Sequence, residues 1–167
     1  NMNFSERYTY NPKSDLIGKG GFSSVFKAAD NSLNGRPVAL KFFNESEQKY
    51  SLKKEVVMSI EFDHPNLCRV YDYAEVPFTN AHGQTEFLQV AIIELLEGGD
   101  LKSYLQRNPE QLNGLLKGVL EGLGYLHEHG IIHRDLKPQN ILIKETIKGP
   151  VAKITDFGIS KQTGGEQ

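Results

Sequence analysis

The apolar residues of this chain change their spacing near Leu95. Up to that point they lie in short runs between turn signals, and from Leu101 onward they recur every three to four residues. Short runs bounded by glycine, proline and asparagine predict strands, and a 3.6-residue repeat predicts helix. Strands that come first, with helices after them, specify an α+β fold. Five runs qualify as strands: Arg7 to Ile17, Val25 to Ala29, Val38 to Phe43, Cys68 to Val76 and Phe87 to Leu95. Gly35-Arg36-Pro37 marks a turn before the third, and Asn80 to Gly83 joins the last two. One helix interrupts them over roughly Glu47 to Ile60, with Leu52, Val56 and Ile60 on one face and Glu55 at its edge. A carboxylate there calls for a cationic partner, because an unpaired buried charge is costly.

In the second half, Leu101, Tyr104 and Leu105 predict a short helix stopped at Asn108-Pro109. A longer helix follows from about Gln111 to Glu128, on the repeat of Leu112, Leu115, Leu116, Val119, Leu120, Leu123 and Leu126. Gly114, Gly118 and Gly122 form a second stripe along it. Each mid-helix glycine costs about 0.5–1 kcal/mol relative to alanine, so tertiary packing must hold this helix, with another backbone close to the stripe. Ile141 to Ile143 and Val151 to Ile154 predict two short strands.

With 19 Lys plus Arg against 21 Asp plus Glu, the formal charge of −2 gives no global electrostatic case for nucleic acid or an anionic membrane. The single cysteine, Cys68, excludes an internal disulfide and a cysteine-rich zinc site, and is expected to be a small core hydrophobe. No apolar run is long enough to span a bilayer, and a cytoplasmic setting is expected.

Three polar strings carry the chemistry. Gly18-Lys-Gly-Gly-Phe-Ser-Ser-Val25 sits between two predicted strands, so it is a hairpin and not the helix-opening turn of a dinucleotide fold. Its glycines leave backbone amides open to phosphate oxygens, a reading that a plain hairpin turn rivals. Lys41 ends the apolar strand that begins at Val38, and it is the partner that Glu55, 14 residues later, requires. The third string is His133-Arg-Asp-Leu-Lys-Pro-Gln-Asn140, with Asp156-Phe-Gly158 beginning 16 residues after Asn140.

On these strings the chain resembles a eukaryotic-type serine/threonine protein kinase catalytic domain, and the likeness covers nearly its whole length. The resemblance implies a bilobal fold with a five-stranded antiparallel sheet and one helix in the first lobe. Residues 1–96 would be that lobe and the hinge, and 97–167 the first part of a helical second lobe. It implies ATP and Mg²⁺ as cofactors and a protein substrate with a Ser or Thr acceptor. Asp135 would be the catalytic base, Asn140 and Asp156 the magnesium ligands, and Lys137 a contact to the transferring phosphate. Lys41, fixed by Glu55, would hold the α- and β-phosphates under the loop of Gly18, Gly20, Gly21 and Ser23. The adenine would lie between Val25 and Ala39 above and Leu142 below, with Ile93 as gatekeeper and the backbone of Glu94 to Leu96 as hinge. Asp100 would meet the ribose. His133 would pack under Phe157, His64 would be structural, and Arg134 would answer phosphorylation of the activation segment, where Ser160 and Thr163 carry hydroxyls.

Three departures stand out. Ser23 replaces the third glycine of the loop, and Ser59 stands where the family has an apolar residue, which is expected to loosen the helix unless Met58 compensates. The sequence ends nine residues after Gly158, so a fragment is expected, with an apolar face of the 111–128 helix left exposed. The alternative function is therefore a catalytically incomplete ATP-binding or protein-interaction module. A small-molecule kinase is disfavoured by the Leu136-Lys137-Pro138 run.

Overall fold

The structure, a computed structural model, describes residues 2–44, 49–133 and 136–157. The chain divides into two compact units, Asn1–Ile60 with Val70–Leu95, and Glu61–Arg69 with Leu96–Gln167. No helix among the described residues is long and apolar enough to cross a membrane.

The first unit holds α1 (Phe4–Arg7), β1 (Tyr8–Thr9), β2 (Leu16–Lys19), β3 (Ser23–Asp30), β4 (Arg36–Phe43), α2 (Lys49–Ser59), β5 (Val70–Thr79) and β6 (Thr85–Ile93). Its antiparallel sheet runs β1-β3-β4-β6-β5, with β2 also paired to β3. All five predicted strands are present, but the first is broken, so the sheet has six. Asn11 causes the break: its side-chain oxygen accepts from the amides of Lys13 and Ser14, and its own amide donates to Asp15 Oδ2. Arg7 falls in a helical turn instead, because Asn3 caps the Glu6 amide and donates back to the Glu6 carboxylate. That reciprocal cap, a polar residue with Glu three positions on, is a helix-start signal that apolar spacing does not carry. The turn before β4 also comes earlier than predicted. Asp30 accepts from the Ser32 amide, Asn34 takes φ 55° and Gly35 φ 76°, and Arg36 and Pro37 already belong to the strand.

Residues directly opposite across an antiparallel ladder share a face. One face of the sheet buries Tyr8, Ala28, Val38, Leu40, Val90 and Ile92, with Phe4, Tyr10 and Phe42 against them. Asp30, fully buried, is held there by Arg7 through Nε and Nη2 at 3.2 and 3.3 Å. The other face gathers Phe43, Ala91, Val70 and Ile93 against Val56 and Leu52 of α2, as the helix periodicity predicts. Ser59 is 1% exposed, and its hydroxyl donates to the Glu55 carbonyl at 2.8 Å. The polar group that replaces an apolar one is thus satisfied within its own helix, a back-bond that tends to bend a helix.

The second unit holds α3 (Leu101–Arg107), α4 (Leu112–Glu128), β7 (Ile141–Thr146) and β8 (Gly149–Ile154). Leu115, Val119, Gly122 and Leu126 form the buried face of α4. Leu112, Leu116 and Leu120 are 43%, 43% and 68% exposed, the open apolar stripe that the sequence predicts. The expected backbone approach to the glycine stripe holds at one of its three positions, Gly122, and at Gly118 a side chain comes close instead. A Cβ at Gly118 would come to 2.5 Å from Asn66 Nδ2, and one at Gly122 to 3.0 Å from the Asn66 carbonyl, while at Gly114 it would meet nothing within 4 Å. The approaching backbone is the 64–68 segment, which also pairs with β8: Ile154 donates to the Asn66 carbonyl and Cys68 to the Ile154 carbonyl, both at 2.9 Å. Leu67 and Cys68 are therefore buried beside β8 and do not begin the following strand, which starts at Val70.

Candidate active site

In the first unit, strand register decides which predicted site residues meet. Val25 stands opposite Lys41, and Lys41 opposite Ala91. Ala39, two residues before Lys41, stands opposite Ile93, and Gly18 opposite Val25. Alternation then places Gly18, Val25, Ala39, Lys41 and Ile93 on one face of the sheet. The sequence named these residues from separate strings, and the sheet brings them together.

The loop between β2 and β3 is closed by a Gly20 amide bond to the Ser23 carbonyl at 2.9 Å. Asn44 ties down its tip, through its side-chain amide to the Gly21 carbonyl and its backbone amide to the Phe22 carbonyl. A Cβ at Gly20 or Gly21 would meet nothing of the protein within 4 Å, and neither takes a positive φ. The fold's own packing therefore does not require glycine at either position.

Lys41 is half-buried, with Nζ 5.5 Å from the Phe43 ring centre. Glu55 is half-buried on α2, and burial pushes its carboxyl pKa up. The expected ion pair does not form: among the described residues no cation lies within 4 Å of the Glu55 carboxylate, and the structure does not bring Lys41 and Glu55 into contact as a pair. Glu94 is buried and Leu96 half-buried, and the chain passes from one unit to the other between Leu95 and Leu96.

In the second unit, Asp100 caps α3 by accepting from the Ser103 amide at 2.8 Å, so it has a structural task whatever else it does. It bridges Leu142, and Ile143 donates to the Gly99 carbonyl at 2.9 Å. Gly98 lies so close that a Cβ would come to 2.2 Å from the Ile143 carbonyl oxygen. A cavity of about 690 Å³ in this unit, lined by Glu97, Tyr104, Arg107, Asn108 and Glu145 among others, includes none of the predicted site residues.

Asn140 is buried at the end of the Pro138–Asn140 turn, where its amide donates to the Lys137 carbonyl at 2.8 Å; Lys137 is exposed. Thr155 joins this loop to Asp156. Its amide and hydroxyl both donate to the Asn140 carbonyl at 2.8 Å, and its carbonyl accepts from His133 Nε2 at 2.8 Å. Thr155 is a positioning residue the sequence reading passed over; its signal is a hydroxyl directly before Asp156. Asp156 takes φ 60°, a left-handed conformation that costs a non-glycine residue about 1–3 kcal/mol. Phe157 is 3% exposed, its ring 5.9 Å from that of Phe62. The amide oxygen of Asn140 and the carboxylate of Asp156 are hard oxygen donors of the kind Mg²⁺ takes. His64 proves structural, accepting from the Asn66 amide on Nδ1 and packing its ring at a tilt 5.1 Å from that of Tyr125. Arg134, Asp135, Gly158, Ser160 and Thr163 lie outside the described residues.

Comparison with known proteins gives one consistent result. The chain is 34% identical over 167 residues to the probable serine/threonine-protein kinase PknB of Lactococcus lactis, covering 95% of this chain and 24% of that protein. It is 38% identical over 156 residues to the cytokinesis protein sepH of Aspergillus terreus, covering 90% of this chain and 11% of that protein. It is 29% identical over 168 residues to the calcium/calmodulin-dependent protein kinase type 1 of Caenorhabditis elegans, covering 96% of this chain and 45% of that protein. The chain thus spans less than half the length of each of these relatives. Residues 11–167 match the protein kinase domain from Tyr10's successor to the last residue, and with the shared sheet face and the Asn140–Thr155–Asp156 clasp in view, the chain belongs to the protein kinase family.

Proposed function

We propose that this chain carries serine/threonine protein kinase activity, transferring the γ-phosphate of ATP to a Ser or Thr hydroxyl of a protein. Residues 1–96 would act as nucleotide lobe and hinge, and 97–167 as the catalytic part of the second lobe. The observation that carries this is the shared face of Gly18, Val25, Ala39, Lys41 and Ile93, fixed by the ladder. Three apolar side chains suit an adenine, and a lysine next to them suits phosphate. The glycines above have no packing reason to be glycine, which fits a backbone kept open for phosphate oxygens.

Phosphoryl transfer needs positioning and charge neutralisation more than covalent chemistry. Asp135 would orient the acceptor hydroxyl and take its proton, and Lys137 would contact the moving phosphate. Lys41 would hold the α- and β-phosphates, with Glu55 as its anchor. The Glu94–Leu96 backbone would hydrogen-bond the adenine, Leu142 would close its lower side, and Asp100 would meet the ribose. Asn140 and Asp156 would hold magnesium, which bridges phosphate oxygens and offsets their charge. A cytoplasmic setting belongs to the same reading and rests on the single, buried Cys68.

The test is to incubate the full chain with Mg-ATP and a basic protein substrate and read intact masses. Wild type should add 80-Da increments, a phosphoryl group's mass of about that size, and Asp135→Asn should cut the rate by roughly 10²–10⁴. An equal rate in the variant would remove Asp135 from the mechanism. Glu55, unpaired among the described residues, favours a second reading, an ATP-binding module without transfer. Stabilisation by Mg-ATP with no phosphate on either protein would select it.

A further inference from the structure

Asp156 occupies a backbone region where a non-glycine residue stays only if its surroundings over-determine it, with φ at 60°. Its N-terminal neighbour is fixed by the clasp of Thr155 on Asn140 and His133. Its C-terminal neighbour, Phe157, carries an apolar ring, which only packing can hold. Within the second unit the Phe62 ring, 6% exposed, packs against it at 5.9 Å between ring centres. Phe62 is itself gripped. The Tyr125 ring meets it edge-on at 6.1 Å and 85°, and the His129 ring at 5.4 Å and 60°. Tyr125 and His129 lie 4.2 Å apart, with His129 Nδ1 donating to the Tyr125 carbonyl at 2.8 Å. The residue after Phe62 is pinned too, since the Asp63 amide donates to the Tyr125 hydroxyl at 3.0 Å.

We propose that Phe62 is a positioning residue, whose ring, clamped by Tyr125 and His129, seats Phe157 and so holds Asp156 in the left-handed conformation that presents its carboxylate to magnesium. This rests on the reading of Asp156 as a magnesium ligand. An ordinary core phenylalanine would spread its loss over the whole unit. Phe62 instead touches the residue next to the strained one, so its loss should appear first at Asp156 and the clasp beside it.

The test uses the full chain with Phe62→Ala and Phe62→Leu, and reads amide hydrogen exchange without nucleotide. The Thr155 amide reports the clasp, while the Ile143 and Cys68 amides report the rest of the unit. In Phe62→Ala, Thr155 should exchange about tenfold faster with Ile143 and Cys68 unchanged, and Phe62→Leu should restore it to within about twofold. No change at Thr155, or equal acceleration at all three, would overturn the positioning role. A second arm measures the Mg²⁺ concentration at which ATP half-maximally raises the melting temperature. It should rise about tenfold in Phe62→Ala, as for other supports of a metal ligand, while stabilisation by ATP without Mg²⁺ stays the same. Faster Thr155 exchange with an unaltered Mg²⁺ requirement would overturn the link to the metal. A wild-type chain that binds ATP with no Mg²⁺ dependence would refute Asp156 as a ligand, and Thr155 exchange would still decide whether Phe62 seats it.

Discussion

Two glycines four residues apart on α4 should respond to the same substitution with opposite signs. At Gly114 an alanine methyl meets nothing within 4 Å, so only helix propensity acts, and Gly114→Ala should stabilise by about 1 kcal/mol. At Gly118 the same gain is opposed. The new Cβ would lie 2.5 Å from Asn66 Nδ2, and that amide donates to the buried Ala152 carbonyl at 3.0 Å. Moving it away leaves a buried carbonyl unsatisfied, at about 1–3 kcal/mol, and crowds a packed site, at about 1–3 kcal/mol more. After the propensity gain, Gly118→Ala should lose about 3 kcal/mol. In a chain of this size each kcal/mol moves the melting temperature by about 2–4 °C. Gly114→Ala should therefore melt about 2–4 °C higher and Gly118→Ala about 6–12 °C lower, read by circular dichroism on the full chain. The double variant Gly118→Ala/Asn66→Ala should lose less than the sum of its singles, because the clash and the lost bond share one side chain. If both glycine variants melt higher by the same amount, the packing of Asn66 against α4 is wrong, and with it the support of the strand that leads to Asp156.

Further tests bear on the first unit. Arg7→Met should destabilise by about 3 kcal/mol, the low end for a broken buried pair because Arg7 is partly exposed, measured by urea unfolding. Burial would raise the Asp30 carboxyl, but hydrogen bonds from Arg7 and Ser32 outweigh it and hold its pKa below the ordinary value. Asp30 then contributes stability that is full above about pH 4 and lost as pH falls through its depressed pKa. Arg7→Met should flatten that part of the acid unfolding profile, and an unchanged acid slope would show that the pair carries no linkage. Glu55→Gln should raise the melting temperature at pH 7, since burial raises the Glu55 pKa with no cation among the described residues to offset it. A carboxyl with a raised pKa favours folding when protonated, so the advantage should shrink as pH falls through that raised value. A loss of stability on Glu55→Gln at neutral pH would mean that an ion pair holds it after all.

What the sequence made legible was local periodicity, together with anything periodicity implies about faces. In a strand the side chains alternate with period two, so once β3, β4 and β6 are in register, Val25, Ala39, Lys41 and Ile93 share a side without further information. The broken first strand was hidden because Asn11 competes for backbone amides through its side chain, a local contest that apolar spacing does not record. The role of Asn66 was hidden for a different reason. It contacts α4 more than 50 positions away, and only the glycines on the receiving helix hinted that something was there.

Glu55 marks the boundary between the two kinds of information. Its place on the edge of the apolar face of α2 follows from the 3.6-residue repeat, and its half-burial agrees with that. Whether it reaches Lys41 depends on how the helix lies against the sheet, which is set by the residues it buries. Val56 and Leu52 pack into the cluster with Phe43 and Ala91, while Ser59, the next residue on that side, buries a hydroxyl that bonds back to the Glu55 carbonyl. A small, internally satisfied side chain buries less apolar surface than a leucine would, by about 1.5–3 kcal/mol for full burial. Ser59→Leu should therefore draw the helix toward the sheet and lower the Glu55 pKa, as the carboxylate gains Lys41, read by carbon-13 titration of a labelled glutamate. A Glu55 pKa that stays raised in Ser59→Leu would show that Ser59 does not govern the pair.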